Sequence, residues 1–217
     1  MIALFVIIII ITLAVTTVVP LVGWIAASLL FGVQLEEINI FFGPRIKTIN
    51  VGNVVLNIGV IPYGGNVQFG DEIQSLHPVK RIFMLICGPS LLVIMAMMAF
   101  GVPDGFQKVL NGFYQLFYGA FSPRTYGSQY LLSLYEFVRI NTLSASLGLI
   151  ASKVAAFNLL PFPTLTGGMI VMTILNRIRP MSMLVSERIQ LFGLLILLIL
   201  LISWMLALYF FLWHILS

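Results

Sequence analysis

The sequence predicts a polytopic α-helical membrane protein of about four transmembrane helices, with a small membrane-associated β-sheet after the first. Three observations predict it. Of 217 residues, 60% are hydrophobic and only 8% charged, a balance unsuited to a soluble domain of this size. Long apolar runs recur, and roughly 20 such residues at 1.5 Å each cross a hydrocarbon core about 30 Å thick. Between the first two runs the pattern changes to short, alternating β-branched stretches.

The first span occupies residues 1–32 and carries no charge. No Lys or Arg precedes it and its apolar run is too long for the h-region of a signal peptide, so it reads as retained. Residues 33–80 hold the sheet, with strands expected near 35–42, 46–51, 54–60 and 65–69. Gly43-Pro44, Gly52-Asn53 and Tyr63-Gly64-Gly65 are expected as the turns between them. These strands are apolar enough to sit partly in the bilayer, provided their backbone groups are paired within protein. The second span, 81–102, begins after Lys80-Arg81.

In residues 103–141, Phe106, Val109, Leu110, Phe113, Leu116 and Phe117 recur at helical spacing. This segment is expected either in the interface plane, on the extracytoplasmic side, or over the chain's own transmembrane helices. The third span, 142–177, is interrupted at Pro161 and Pro163, because proline removes a donor and clashes with the preceding turn. The fourth, 186–217, closes on Trp204, Tyr209, Phe210, Phe211 and Trp213, an interfacial aromatic belt. No repeat or linker divides the chain, which reads as one integral membrane domain, 1–217.

Lys and Arg concentrate between the first and second spans (Arg45, Lys47, Lys80, Arg81) and between the third and fourth (Arg177, Arg179, Arg188). The positive-inside bias therefore places those segments, including the sheet, in the cytosol and both termini outside. No basic patch interleaves with stacking aromatics, so nothing favours a nucleic-acid partner. The single cysteine, Cys87, has no internal disulfide partner and reads as a buried, inert thiol.

Gly32-Val33, Phe42-Gly43-Pro44, the run Ile61-Pro62-Tyr63-Gly64-Gly65-Asn66-Val67 and the run from Asn158 to Gly168 together resemble the framework of the site-2 protease family of intramembrane zinc metalloproteases. Pro78, Arg81, Gly88-Pro89 and Ser186-Glu187-Arg188 extend the likeness over nearly the whole chain. The resemblance implies a site-2-protease-like core in a bacterial cytoplasmic (inner) membrane, and residues 103–141 leave no room for the PDZ domain of many bacterial members.

In that family the first helix carries H-E-x-x-H, two zinc-binding His flanking a Glu base, and the broken third helix carries an Asp ligand. Counting back from Gly32-Val33 puts the first motif at Pro20-Leu21-Val22-Gly23-Trp24, so the resemblance places Pro20 and Trp24 at ligand positions and Leu21 at the base. The aspartate position is Thr166. The two histidines, His77 and His214, lie near span ends on opposite faces of the membrane. The expectation is a pseudoprotease with no catalytic residues, no metal site and no cofactor.

The framework without the chemistry points to binding. In the family the sheet and the broken helix hold an unwound substrate segment as an added strand, a mode that uses backbone donors and acceptors and no zinc. Gly64, Gly65, Asn66, Asn158, Pro161 and Pro163 are therefore candidate contacts to a transmembrane partner; the alternative is that glycine and proline serve only the backbone path. Lys153 is the ionisable side chain deep in a span, where a charge costs at least ~2.5–3.5 kcal/mol. Either it reaches helix-end carbonyls near Asn158 or it meets a carboxylate on a partner's transmembrane helix. The leading reading is a scaffold, subunit or regulator of another integral membrane protein. The rivals are a component of a transport or ion-conducting complex and a protease of unrecognised mechanism, for which Ser90, Ser152 and Lys153 are the candidate groups.

Overall fold

Where water is absent a backbone must close its own hydrogen bonds, and helix α1 (Ile2–Phe31) does so over 30 residues. The computed structural model describes residues 2–216, with side chains from 5 to 215; Met1 and Ser217, at the ends of the first and last expected spans, lie outside the described residues. α1 ends because Gly32 turns left-handed, with φ +66°, and the Val33 N–H reaches back to the Ser28 carbonyl at 3.0 Å. This is a Schellman cap, and it gives Gly32-Val33 a physical reason: the glycine takes the left-handed turn and the buried valine anchors the exit against Ala27 and Met84.

Two long strands follow, β1 (Leu35–Val51) and β2 (Val54–Phe69), paired antiparallel across the turn at Gly52-Asn53. The turns expected at Gly43-Pro44 and Tyr63-Gly64-Gly65 are instead bends inside continuous strands. Left-handed residues make them: Phe41 at φ 70°, Gly43 at 91° and Gly64 at 73°. The register shows the result. Residues 37–40 pair with 65–68 on one side and with 55–58 on the other, the second pairing rising in step as Glu37 with Val55 and Ile40 with Ile58. The four expected stretches are thus the halves of two bent strands, and β1 contributes the middle of the sheet.

After a short turn, α2 (Glu72–Ser75), helix α3 (Pro78–Phe100) starts with proline where a missing N–H costs nothing. Helix α4 (Val102–Phe121) then folds back along α3. Its buried face is Gly105, Val109, Gly112 and Gly119, and Val109 joins Leu92, Ala96, Ala151, Ala155 and Ala156 in the core. A π-helical turn at Pro123–Gly127 leads into α5 (Ser128–Ile140), whose Tyr135 packs edge-on against Phe5 and Phe211. Residues 103–141 therefore cover the chain's own helices.

Helix α6 (Leu143–Asn158), capped by Thr142, breaks before Pro161; after Leu165 the chain resumes as α7 (Thr166–Ile178). The start of α7 lies so close to the break that a Cβ on Gly167 would sit 2.1 Å from the Leu159 carbonyl oxygen. Helix α8 (Met183–Leu216) closes the bundle, packing Leu197 and Leu200 on Leu160 and Phe162. Among the described residues, three helices are long and apolar enough to cross a membrane, over Phe5–Phe31, Pro78–Phe100 and Met183–Ile215. The expected third span is shorter: the 16 residues of α6 reach about 24 Å, under the ~30 Å of a hydrocarbon core.

Candidate functional site

The cavity-lining residues of α1 follow from helical spacing. Thr16, Pro20 and Trp24 stand one turn apart on one face, and with Thr17 they form one wall of a cavity of about 400 Å³. The bend of β2 supplies a second wall through Tyr63, Gly64, Gly65 and Asn66, and the break after α6 supplies a third through Asn158, Thr164 and Thr166. Leu194, Leu197 and Leu201 of α8 complete it.

Hydrogen bonds orient the polar lining, and one of them joins two walls. The Gly64 N–H donates to Thr17 Oγ1 at 2.9 Å, which ties the bend of the sheet to α1. Gly64 is required there on two counts: its φ is positive, and an added Cβ would fall 1.9 Å from the Phe42 ring. Asn66 Oδ1 accepts from Asn39 Nδ2 at 2.7 Å, and Asn158 Nδ2 donates to the Val154 carbonyl at 2.9 Å.

Trp24 has a structural task. Proline at 89 has no N–H for the carbonyl four residues back, which is Leu85. The Trp24 indole N–H donates to that carbonyl at 2.8 Å, and the ring lies over Gly88. The side chain at this position therefore repairs a break in the hydrogen bonding of α3.

The cavity brings together Pro20, Trp24, Thr166, Gly64, Gly65, Asn66 and Asn158. Leu21 is buried behind the α1 wall, facing Gly65. Pro161 is exposed away from the cavity, and Pro163 packs on Gly193 of α8. Lys153 belongs elsewhere: its Nζ donates to the Lys108 carbonyl at 3.1 Å and it lines a second cavity. The carbonyl it reaches is thus on α4, where the expectation was the end of α6 near Asn158. Thr16 and Thr17 were missed as site residues. Their signal was visible as a pair of adjacent hydroxyls in a strongly apolar helix, four and three residues before Pro20.

Long apolar helices around a strand-walled cavity at a helix break define a membrane protein with an internal site. Residues 8–203 match the model of Peptidase family M50, the site-2 protease family, and the chain belongs to that family. It is 30% identical over 101 residues to a protein of Chlamydia trachomatis serovar D named "Putative zinc metalloprotease", an alignment spanning 37% of this chain and 16% of that protein. A similarly named protein of Clostridium perfringens strain 13 is 28% identical over 87 residues, 36% of this chain and 26% of the relative. The chain thus spans about a quarter or less of these relatives' own lengths.

The zinc that the family implies does not fit the residues present. Zinc takes its ligands from Cys, His, Asp and Glu, and the cavity lining offers none of these. Among the described residues no group of three or more such side chains is placed to hold a metal. What the cavity offers is hydroxyls, amides and a bent strand beside an apolar wall.

Proposed function

We propose that this chain is a proteolytically inactive member of family M50 that binds a transmembrane segment of another integral membrane protein, as its scaffold, subunit or regulator. One observation carries the reading. The three positions at which the family resemblance puts metal ligands, Pro20, Trp24 and Thr166, converge on one cavity together with Gly64, Gly65, Asn66 and Asn158. The framework that would hold an extended segment is retained around a centre without a ligand or base. Backbone pairing along β2 and apolar contact with α8 supply affinity without zinc.

The test is site-specific photocrosslinking of the full chain in its native membrane. A photoreactive residue at Tyr63 or Thr164, in the cavity wall, is expected to capture one defined membrane protein, whereas one at exposed Leu206 on α8 captures none. Stoichiometric zinc in the purified chain together with cleavage of a transmembrane substrate would overturn the reading.

A further inference from the structure

We propose that the second cavity, of about 500 Å³ between α4, α5, α6 and Trp204 of α8, binds a phosphate-bearing anion, and that an anionic lipid headgroup is its source. The argument is independent of the partner-binding reading. Two ammonium groups line this cavity from different helices, Lys108 on α4 and Lys153 on α6. One proton of Lys153 is used on the Lys108 carbonyl, and the Lys108 ammonium stands 4.4 Å over the Phe100 ring. Neither meets a carboxylate: none lines the cavity, and the ion pair found among the described residues is Arg45 with Glu37 on the sheet. Like charges in a partly desolvated space repel, and an anion between them relieves the cost.

The remaining polar lining is rich in donors. Asn111 accepts from Gln107 Nε2 at 3.0 Å through its own carbonyl oxygen, which leaves its amide protons to donate. Gln115, Tyr130 and Ser133 add neutral donors. One carboxylate has two oxygens for this set, whereas a phosphoglycerol group brings more acceptors with its charge. Leu116, Leu134 and Leu149 add apolar lining, suited to the start of an acyl chain. Tyr130 also begins a tyrosine series through Tyr126 and Tyr118 to Tyr114, with the last three exposed. Tyrosine favours the headgroup depth of a bilayer, and this series beside the cavity suits it to a lipid whose phosphate reaches down to the lysines.

The test uses the full chain in mild detergent, read by native mass spectrometry and by thermal unfolding. Phosphatidylglycerol is expected to remain bound as one lipid and to raise the melting temperature at concentrations about tenfold below those of phosphatidylcholine. Lys108→Met with Lys153→Met removes the preference, while Lys108→Arg with Lys153→Arg keeps it, which separates charge from packing. Displacement of the lipid by millimolar inorganic phosphate assigns the same site to free phosphate; failure to displace assigns it to lipid. The proposal is overturned if wild-type protein neither prefers phosphatidylglycerol nor responds to phosphate, or if the double Met variant keeps the preference. It is equally overturned if the cavity is filled by a protein companion that Lys153→Met releases. Should the Met variants fail to fold, the comparison of lipids on wild-type protein decides alone.

Discussion

Replacing Trp24 by Phe keeps an aromatic ring over Gly88 and removes only the N–H that reaches the Leu85 carbonyl. That carbonyl has no intrahelical donor because residue 89 is proline. A net hydrogen bond contributes about 0.5–1.5 kcal/mol, and leaving a buried acceptor unsatisfied costs about 1–3. Side-chain hydrogen bonds measured inside membranes average nearer 0.6, with a maximum of about 1.7. Trp24→Phe should therefore destabilise by about 1–2 kcal/mol, roughly 5–30-fold in the unfolding equilibrium. Pro89→Ala restores an N–H to the Leu85 carbonyl from within α3, so in that background Trp24→Phe should cost no more than about 0.5 kcal/mol. The assay is reversible unfolding in mixed detergent micelles for the four proteins of the cycle. Equal costs of Trp24→Phe in both backgrounds would refute the account, because the indole would then not be substituting for the proline's missing donor.

Gly64→Ala should destabilise by about 1–3 kcal/mol, from a strained φ and from contact with Phe42, and should abolish crosslinking from Tyr63. Adding Phe42→Ala relieves only the steric part, which thermal unfolding of the pair will show. Thr17→Val removes the acceptor of the Gly64 N–H and should cost about 1 kcal/mol, with faster hydrogen exchange at the Gly64 amide than at neighbouring β2 amides. Gly167→Ala meets the Leu159 backbone, which cannot yield as a side chain can, so a loss of about 2 kcal/mol or more is expected from unfolding curves.

Much of the helical architecture was legible because bilayer-length apolar runs leave the backbone few options. The break after α6 was readable from Pro161 and Pro163, and the cavity followed from combining it with the strand segment around Gly64 and Gly65. The bends of the sheet were not readable. Gly43-Pro44 has the composition of a turn, and only the long-range pairing of 37–40 with both halves of β2 shows that the chain remains extended there. The place of α4 was half legible: Phe106, Val109 and Phe113 gave the period, but Gly105, Gly112 and Gly119, seven apart, mark a close-packed seam. The seat of Pro163 on Gly193 and the bond from Trp24 to Leu85 join distant parts of the chain, and no local pattern announces them.

The last helix also carries a consequence for biogenesis. The C-terminal part of α4 takes two of its side-chain hydrogen bonds from a helix far along the chain, at Ala120, whose carbonyl is among the last four of the helix, and at Leu116 one turn earlier. The Ser203 hydroxyl donates to the Ala120 carbonyl across 83 residues, and the Trp204 indole donates to the Leu116 carbonyl at 3.0 Å across 88. Both donors belong to α8, so while the chain is still being synthesised they have yet to arrive. The packing of α4 against α8 is therefore completed only once α8 has entered the membrane. Insertion proceeds from the N-terminus, yet a chain halted before Ser203 lacks both of these donors to α4.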